Sequence, residues 1–350
     1  MSDIPTTMPA AVYRKAGVIE VVDHPVPTLG PRDVLVEVSH CGVCGSDLHL
    51  VLEGWGQADS IGGHEYTGEV AAVGAEVSEW APGDEVVAGP SVRCGECRPC
   101  RSGRPSLCLA RDAVGASDFQ GAFARYTRVP ADELLAVPSG LPMRAAALAE
   151  PLAVALHGIT LAEVEPGDRV IVFGAGPIGA LTTAALAAQG HTDITVVEPT
   201  EPRQELASAV GATRVVHPDR LEAPGWHPGH LVDDPYDAAL ECSGRAAAME
   251  AALGQLGRAG RLVLVGAGMD RPSFDPNRIL LNELVLTGAF TYDADGFPRA
   301  LELLASGRMP LDRLIEPEDV PLGGLLDAMH DLAGGRTAGK VMINPREDVR

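Results

Sequence analysis

The sequence runs to 350 residues, 46% of them hydrophobic and 21% charged, a globular balance that excludes a disordered chain and allows two separate cores. Asp and Glu number 48 against 27 Lys and Arg, a formal net charge of −21 that repels phosphate backbones and anionic lipid. Neither nucleic acid nor a membrane surface is therefore expected as a partner. Met1-Ser2-Asp3 opens acidic with no apolar core behind it, unlike a secretion signal. The longest apolar run, around 145–162, is interrupted by Glu150, Pro151 and His157, so no segment is expected to span a bilayer. A soluble, cytoplasmic protein is the expectation.

From Ala10 to about Pro138 the chain reads as short β segments, at 18–22, 34–38, 69–73 and 84–87, separated by Gly and Pro turns. Two polar motifs fall among them, Cys41-Gly42-Val43-Cys44-Gly45-Ser46-Asp47-Leu48-His49 and Gly62-Gly63-His64-Glu65. Further on, Cys94, Cys97, Cys100 and Cys108 follow the pattern C-x2-C-x2-C-x7-C. Two-residue spacers let neighbouring thiolates turn onto one tetrahedral ion, and Gly95, Pro99 and Gly103 suit the turns of such a lobe. An odd count of seven cysteines argues against a disulfide framework. Four thiolates could also hold an iron–sulfur cluster; with no second cluster motif, zinc in a closed, structural site is preferred.

Ala149-Glu150-Pro151-Leu152 marks a change of texture, and from about Ala153 the chain alternates strand and helix. A β run at 169–173 leads into Gly174-Ala175-Gly176-Pro177-Ile178-Gly179, then an Ala-rich helix to about Gln189 and a second strand at 193–198. In this setting Gly174 serves the tight turn, Gly176 the approach of backbone to a pyrophosphate, and Gly179 close helix–strand packing. Glu198, nineteen positions after Gly179, is placed to accept both ribose hydroxyls of NAD and to repel the 2′-phosphate of NADP. Arg203 complicates that preference, because a nearby arginine can accommodate the phosphate. Further units at 236–242, 246–256, 261–266 and 284–288 follow, with Gly266 counted among the coenzyme-binding positions beside Pro177 and Ile178. After about Asp293 the elements shorten, ending at 340–344.

The stretches Cys41–His49, Gly62–Glu65 and Ala149–Leu152 together offer a thiolate, an imidazole and the two carboxylates Glu65 and Glu150, a set that suits zinc with an exchangeable position. With the four-cysteine lobe, G-A-G-P-I-G and the late A-G-K-V, these stretches resemble the zinc-dependent medium-chain dehydrogenase/reductase superfamily over essentially the whole chain. Glu150 and the turn Glu198–Arg203 are similar to the polyol branch, which includes sorbitol and 2,3-butanediol dehydrogenases. The resemblance implies an α/β protein with a β-rich GroES-like catalytic domain (1–153 and 293–350, with a zinc lobe at 92–109) and a doubly wound, parallel-sheet Rossmann domain (154–292). It implies two zinc ions per chain, NAD rather than NADP, a small-molecule alcohol or ketone as substrate, and a homodimer or homotetramer built on the apolar run at 284–289. By position it makes Cys44 rather than Cys41 the ligand, His64 the second, and Glu65 and Glu150 candidates for the rest. Ser46 then takes the substrate proton, His49 relays it, and Asp47 fixes the site with Lys340 as its cation, one of two lysines beside Lys15. The loop before Gly62 departs from the family pattern, and Trp55 within it either lines the pocket or simply packs. The implied reaction is reversible oxidation of a secondary alcohol; the same residues would serve a reductase of a ketone, aldehyde or imine, and a non-catalytic NAD(H)-binding scaffold is the third reading.

Overall fold

The structure is a computed structural model that describes residues 4–89, 94–110 and 120–347. Met1-Ser2-Asp3 and positions 92–93 of the expected lobe lie outside them. β1 (Thr7–Lys15) and β2 (Val18–Pro25) form an antiparallel hairpin that reverses at Gly17, whose φ of +69° suits glycine. β3 (Asp33–Gly42), β4 (Glu65–Val73), β5 (Glu85–Ala88), β6 (Tyr126–Pro130) and β7 (Leu135–Ala136) belong to a seven-stranded sheet.

β8 (Arg169–Phe173), β9 (Asp193–Val197), β10 (Arg214–Val216), β11 (Tyr236–Glu241), β12 (Leu256–Leu264) and β13 (Val285–Gly288) form a second, wholly parallel sheet in the order β10-β9-β8-β11-β12-β13. Its inner strands are continuous apolar runs, as strands covered on both faces must be. β14 (Val320–Pro321) and β15 (Met342–Asn344) return to the first sheet, β15 pairing with β3 beside Cys41 and Gly42. The strand order reverses between β8 and β11, which opens a crevice at their carboxyl ends.

The strands read from the sequence are present, but β1, β6, β7, β10 and β14 are not among them and β12 begins at Leu256, earlier than the expected 261; two further extensions matter for the site. β3 runs on to Gly42 and β4 begins at Glu65, because backbone pairing of Gly42 with Glu65 and Cys41 with Tyr66 carries the ladder past the apolar pattern. The helix Ala149–Ala162 is continuous across the expected boundary at 153/154. The expectation about membranes needs correcting: the helical stretch Met143–Ala162, mean hydropathy 1.5, is long and apolar enough to cross one. Its window is 83% buried, with Leu148, Leu152 and Leu156 in a core shared with β8 and with helices Pro177–Ala188 and Gly296–Ala305. Glu150 and His157 do not interrupt it because both are turned into buried polar sites.

Candidate active site

β3 ends at Gly42, and the chain turns into the helix Gly45–Val51 with Cys44 as its N-cap. Asp47 closes that turn, its Oδ2 accepting from the Cys44 N–H at 2.9 Å. Val43 N–H donates to the Val341 carbonyl at 3.0 Å, so the turn is also pinned to the carboxyl-terminal segment. Facing it, Gly63 bends the chain at φ +92°, and a Cβ there would stand 2.8 Å from Phe123 N and 2.9 Å from Cys41 Sγ. That bend delivers His64 and Glu65 to Cys44: one ligand atom from each of the three lies within 4.8 Å of the others. Cys41 is fully buried behind them, its thiol pushed well up by burial, then by Asp47 and Glu65.

The chemistry of this donor set fits a zinc ion with an open position, one sulfur, one nitrogen and one oxygen. The electrostatics ask for a cation as well. Burial opposes a charged His64, yet Asp47, 3.7 Å from Nδ1, and Cys44 hold the ring well above the usual imidazole range. Glu150 stands outside the three-residue cluster, buried in the first turn of its helix. Burial pushes its carboxyl up to about 7, against His64 and with help from Glu65.

Lys340 is not the partner of Asp47. Its Nζ lies 2.7 Å from Glu65 Oε2, donates to the Val43 carbonyl at 3.2 Å, and is fully buried with that carboxylate. The cation beside Asp47 is His64. The geometric reason is β15, which runs beside Gly42 in β3 while Glu65 opens β4 on the other side of the same residue.

Ser46 and His49 line the cleft from the same helix, with His49 Nε2 donating to the Ala267 carbonyl at 3.3 Å across it. Trp55 does not line the cleft: it is 52% exposed and stacks on the His49 ring.

On the opposite wall, Gly174 adopts φ +89°, and a Cβ on Gly179 would sit 1.9 Å from the Gly174 carbonyl oxygen. A Cβ on Gly176 would meet only the Arg203 guanidinium at 3.9 Å, so that side stays open to a ligand. Pro177 starts the helix Pro177–Ala188 and lines the cleft together with Ile178, so the helix begins at the cleft. Glu198 is 3% exposed; Ala175 N–H donates to its Oε2 at 2.8 Å, and Thr200 N–H and Oγ1 donate to Oε1 at 3.0 and 2.8 Å. Arg203 donates from Nε to the Thr337 carbonyl and from Nη2 to the Leu332 carbonyl, while its Nη1 lies toward Gly176 in the cleft. Gly266 belongs to a tight set the sequence reading only partly recognised: a Cβ on Gly268 would lie 1.7 Å from the Gly244 carbonyl oxygen, and one on Gly266 would lie 2.3 Å from Gly244 N. The Gly-x-Gly spacing at 266–268 is the signal that marks it.

The sulfurs of Cys94, Cys97, Cys100 and Cys108 also lie within 4.8 Å of one another. Backbone amides point at them, Cys94 N–H to Cys108 Sγ and Cys97 N–H to Cys94 Sγ, each at 3.3 Å. The amides of Cys100 and Leu109 pull the Cys97 thiol down to about 6. Burial pushes the Cys100 thiol up to about 11, so the fit to a closed zinc site rests on the four converging sulfurs.

Residues 30–139 match the alcohol dehydrogenase GroES-like domain, and residues 177–306 match the zinc-binding dehydrogenase domain. The sorbitol dehydrogenase of Bacillus subtilis is 33% identical over 349 residues, 98% of each chain. The chain belongs to the zinc-binding alcohol dehydrogenase family. Among solved structures, the 2R,3R-butanediol dehydrogenase of Bacillus subtilis is similar at TM-score 0.86 and 29% identity, covering 97% of this chain and 100% of that one. A zinc-binding dehydrogenase of Sinorhizobium meliloti, solved with NADP, is similar at TM-score 0.86 and 30% identity over 97% and 100%. As a member of this family the dehydrogenase uses zinc and a nicotinamide coenzyme, and its cleft of about 1750 Å³ is walled by both halves of the chain, with Cys44 and His64 on one side and Gly174 and Gly176 on the other.

Proposed function

We propose that this dehydrogenase reversibly oxidises a secondary alcohol of a polyol or vicinal diol to the ketone, with NAD rather than NADP as hydride acceptor. The observation that carries the reading is the convergence of Cys44, His64 and Glu65 on the same cleft as the Gly174–Gly179 turn. The relatives named for sorbitol and 2R,3R-butanediol support the polyol class.

Two zinc ions per chain fit the two donor clusters, with Glu150 as an alternative carboxylate at the first. When bound, the first ion supplies a Lewis acid that eases loss of the hydroxyl proton, and the nicotinamide accepts hydride. Ser46 accepts the substrate proton and His49 carries it outward. The amides at the start of helix Pro177–Ala188 hold the pyrophosphate. Coenzyme choice follows local charge: the Glu198 carboxylate meets the ribose hydroxyls and repels a 2′-phosphate, while Arg203 gives two of its three nitrogens to backbone carbonyls.

β13 is an edge of the parallel sheet, begins at exposed Val285 and follows the helix Pro276–Asn282 with exposed Leu280 and Leu281, which supports pairing of two chains through it, as a homodimer or as the unit of a homotetramer. Seven unpaired cysteines suit a reducing, cytoplasmic setting.

The test is absorbance at 340 nm with zinc-replete protein, NAD⁺ or NADP⁺, and a panel of polyols, vicinal diols, simple secondary alcohols and threonine. A rise with polyols or diols and NAD⁺ is expected; turnover confined to another class, or to NADP⁺, overturns the reading. Glu198→Ala should weaken NAD⁺ and relax discrimination against NADP⁺.

A further inference from the structure

The proton path just proposed stops at His49, whose side chain is only 22% exposed and is covered on one face by Trp55, ring centroids 5.5 Å apart and planes 25° from parallel. The two ring nitrogens face different surroundings. Nε2 meets the Ala267 carbonyl across the cleft at 3.3 Å. Nδ1 faces Glu53, whose Oε1 stands 2.9 Å away. The pair is close but out of line for a hydrogen bond, a looseness that proton-transfer pairs show before substrate and coenzyme are in place. Glu53 follows His49 by one helical turn, lies just past the end of helix Gly45–Val51, and keeps its side chain 44% exposed on the rim of the cleft.

We propose that Glu53 is the outer end of the relay: it takes a proton from His49 Nδ1 and passes it to bulk water, while Trp55 holds the ring so that the two nitrogens keep facing opposite ways. This rests on the relay reading of Ser46 and His49. Glu53 also selects the working tautomer, because a bare nitrogen beside a carboxylate would set two acceptors against each other. The productive ring therefore carries its proton on Nδ1, and Nε2 is free to accept once substrate and coenzyme displace the Ala267 carbonyl. During alcohol oxidation the substrate proton passes to Ser46 Oγ, which gives its own to His49 Nε2. The ring then releases the Nδ1 proton to Glu53, and the carboxylic acid loses it to water. Hydride travels separately to the coenzyme, so one proton and one hydride leave for each carbinol oxidised. Exchange with water restores the Nδ1–H ring after product departs.

The experiment uses the zinc-replete, full-length enzyme in dilute amine buffer, with the alcohol and coenzyme that give turnover. In Glu53→Gln, kcat should fall roughly tenfold and KM change less than about twofold, a modest share of what proton transfer can contribute. Glu53→Ala should regain rate as formate is added, whereas the parent enzyme ignores formate. In the coenzyme complex, ¹⁵N spectra should show the His49 Nδ1–H tautomer, lost in Glu53→Ala. An unchanged kcat in both variants, a fall that formate never restores, or identical ¹⁵N spectra would each overturn the role of Glu53. Full activity in His49→Gln would instead sink the relay reading itself; a slow His49→Gln beside a fast Glu53→Gln sinks only the extension.

Discussion

Single atoms decide whether the coenzyme turn can form. A Cβ on Gly179 would overlap the Gly174 carbonyl at 1.9 Å, backbone that cannot retreat without breaking the turn. Gly179→Ala is therefore expected to destabilise the protein by about 1–3 kcal/mol or more and to weaken NAD⁺ binding; a denaturation midpoint and a coenzyme titration read both, and a neutral substitution would count against the tight turn. Glu150 gives a pH prediction at the same scale. Its carboxyl sits near 7 in the folded, zinc-free chain because burial opposes its charge, above the ordinary carboxylate value of about 4.3 in the unfolded chain. Between those values the folded state holds a proton that the unfolded state has lost, so stability falls as pH rises through that window. Chelator-treated protein should lose denaturant resistance from about pH 4.3 to 7, and Glu150→Gln should flatten the decline; equal slopes in parent and variant would reject the assignment.

Elements bring the site together by pairing, and Glu65 illustrates how. It opens β4 opposite Gly42 at the end of β3, and on the other side of Gly42 runs β15, just after Lys340. A glycine is needed there because a Cβ at Gly42 would lie 2.3 Å from Glu65 Oε2. Lys340→Met removes one member of a fully buried pair and strands the other, which should cost about 3–5 kcal/mol. Thermal unfolding and bound zinc should both fall in that variant. The double change with Glu65→Gln should recover stability without recovering zinc; if the single variant unfolds like the parent, the pair has no structural weight. The lobe Cys94–Cys108 was legible as a unit from spacing alone because its four cysteines are local. The three-residue cluster was legible only in part, since nothing near Glu65 in sequence says that Lys340 will meet it.

At the scale of the whole molecule, the two sheets cooperate through one cleft and the helix Ala149–Ala162, which carries Glu150 at one end and packs against the coenzyme half along its length. The two donor clusters differ in closure, and that should appear in metal exchange. Four thiolates leave no open position, whereas the Cys44 cluster faces the cleft. Brief dialysis against a chelator should therefore remove about one ion per chain, abolish turnover and leave the fold intact by circular dichroism, with zinc restoring activity. Simultaneous loss of both ions, or full activity after loss of the first, would contradict the division of roles.

Composition, glycine spacing and cysteine spacing determined the two-part α/β organisation, the coenzyme turn and the four-cysteine lobe, because each depends on residues close together in the chain. The partner of Lys340, the position of Glu150 outside the three-residue cluster, the carbonyls that Arg203 meets, and the stacking of Trp55 on His49 were decided by tertiary structure. These contacts depend on strand pairing, burial and charge neutralisation between segments far apart, and a local pattern carries no record of which distant group will meet it. The same holds for Met143–Ala162, whose hydropathy alone describes a membrane span and whose surroundings make it a core helix.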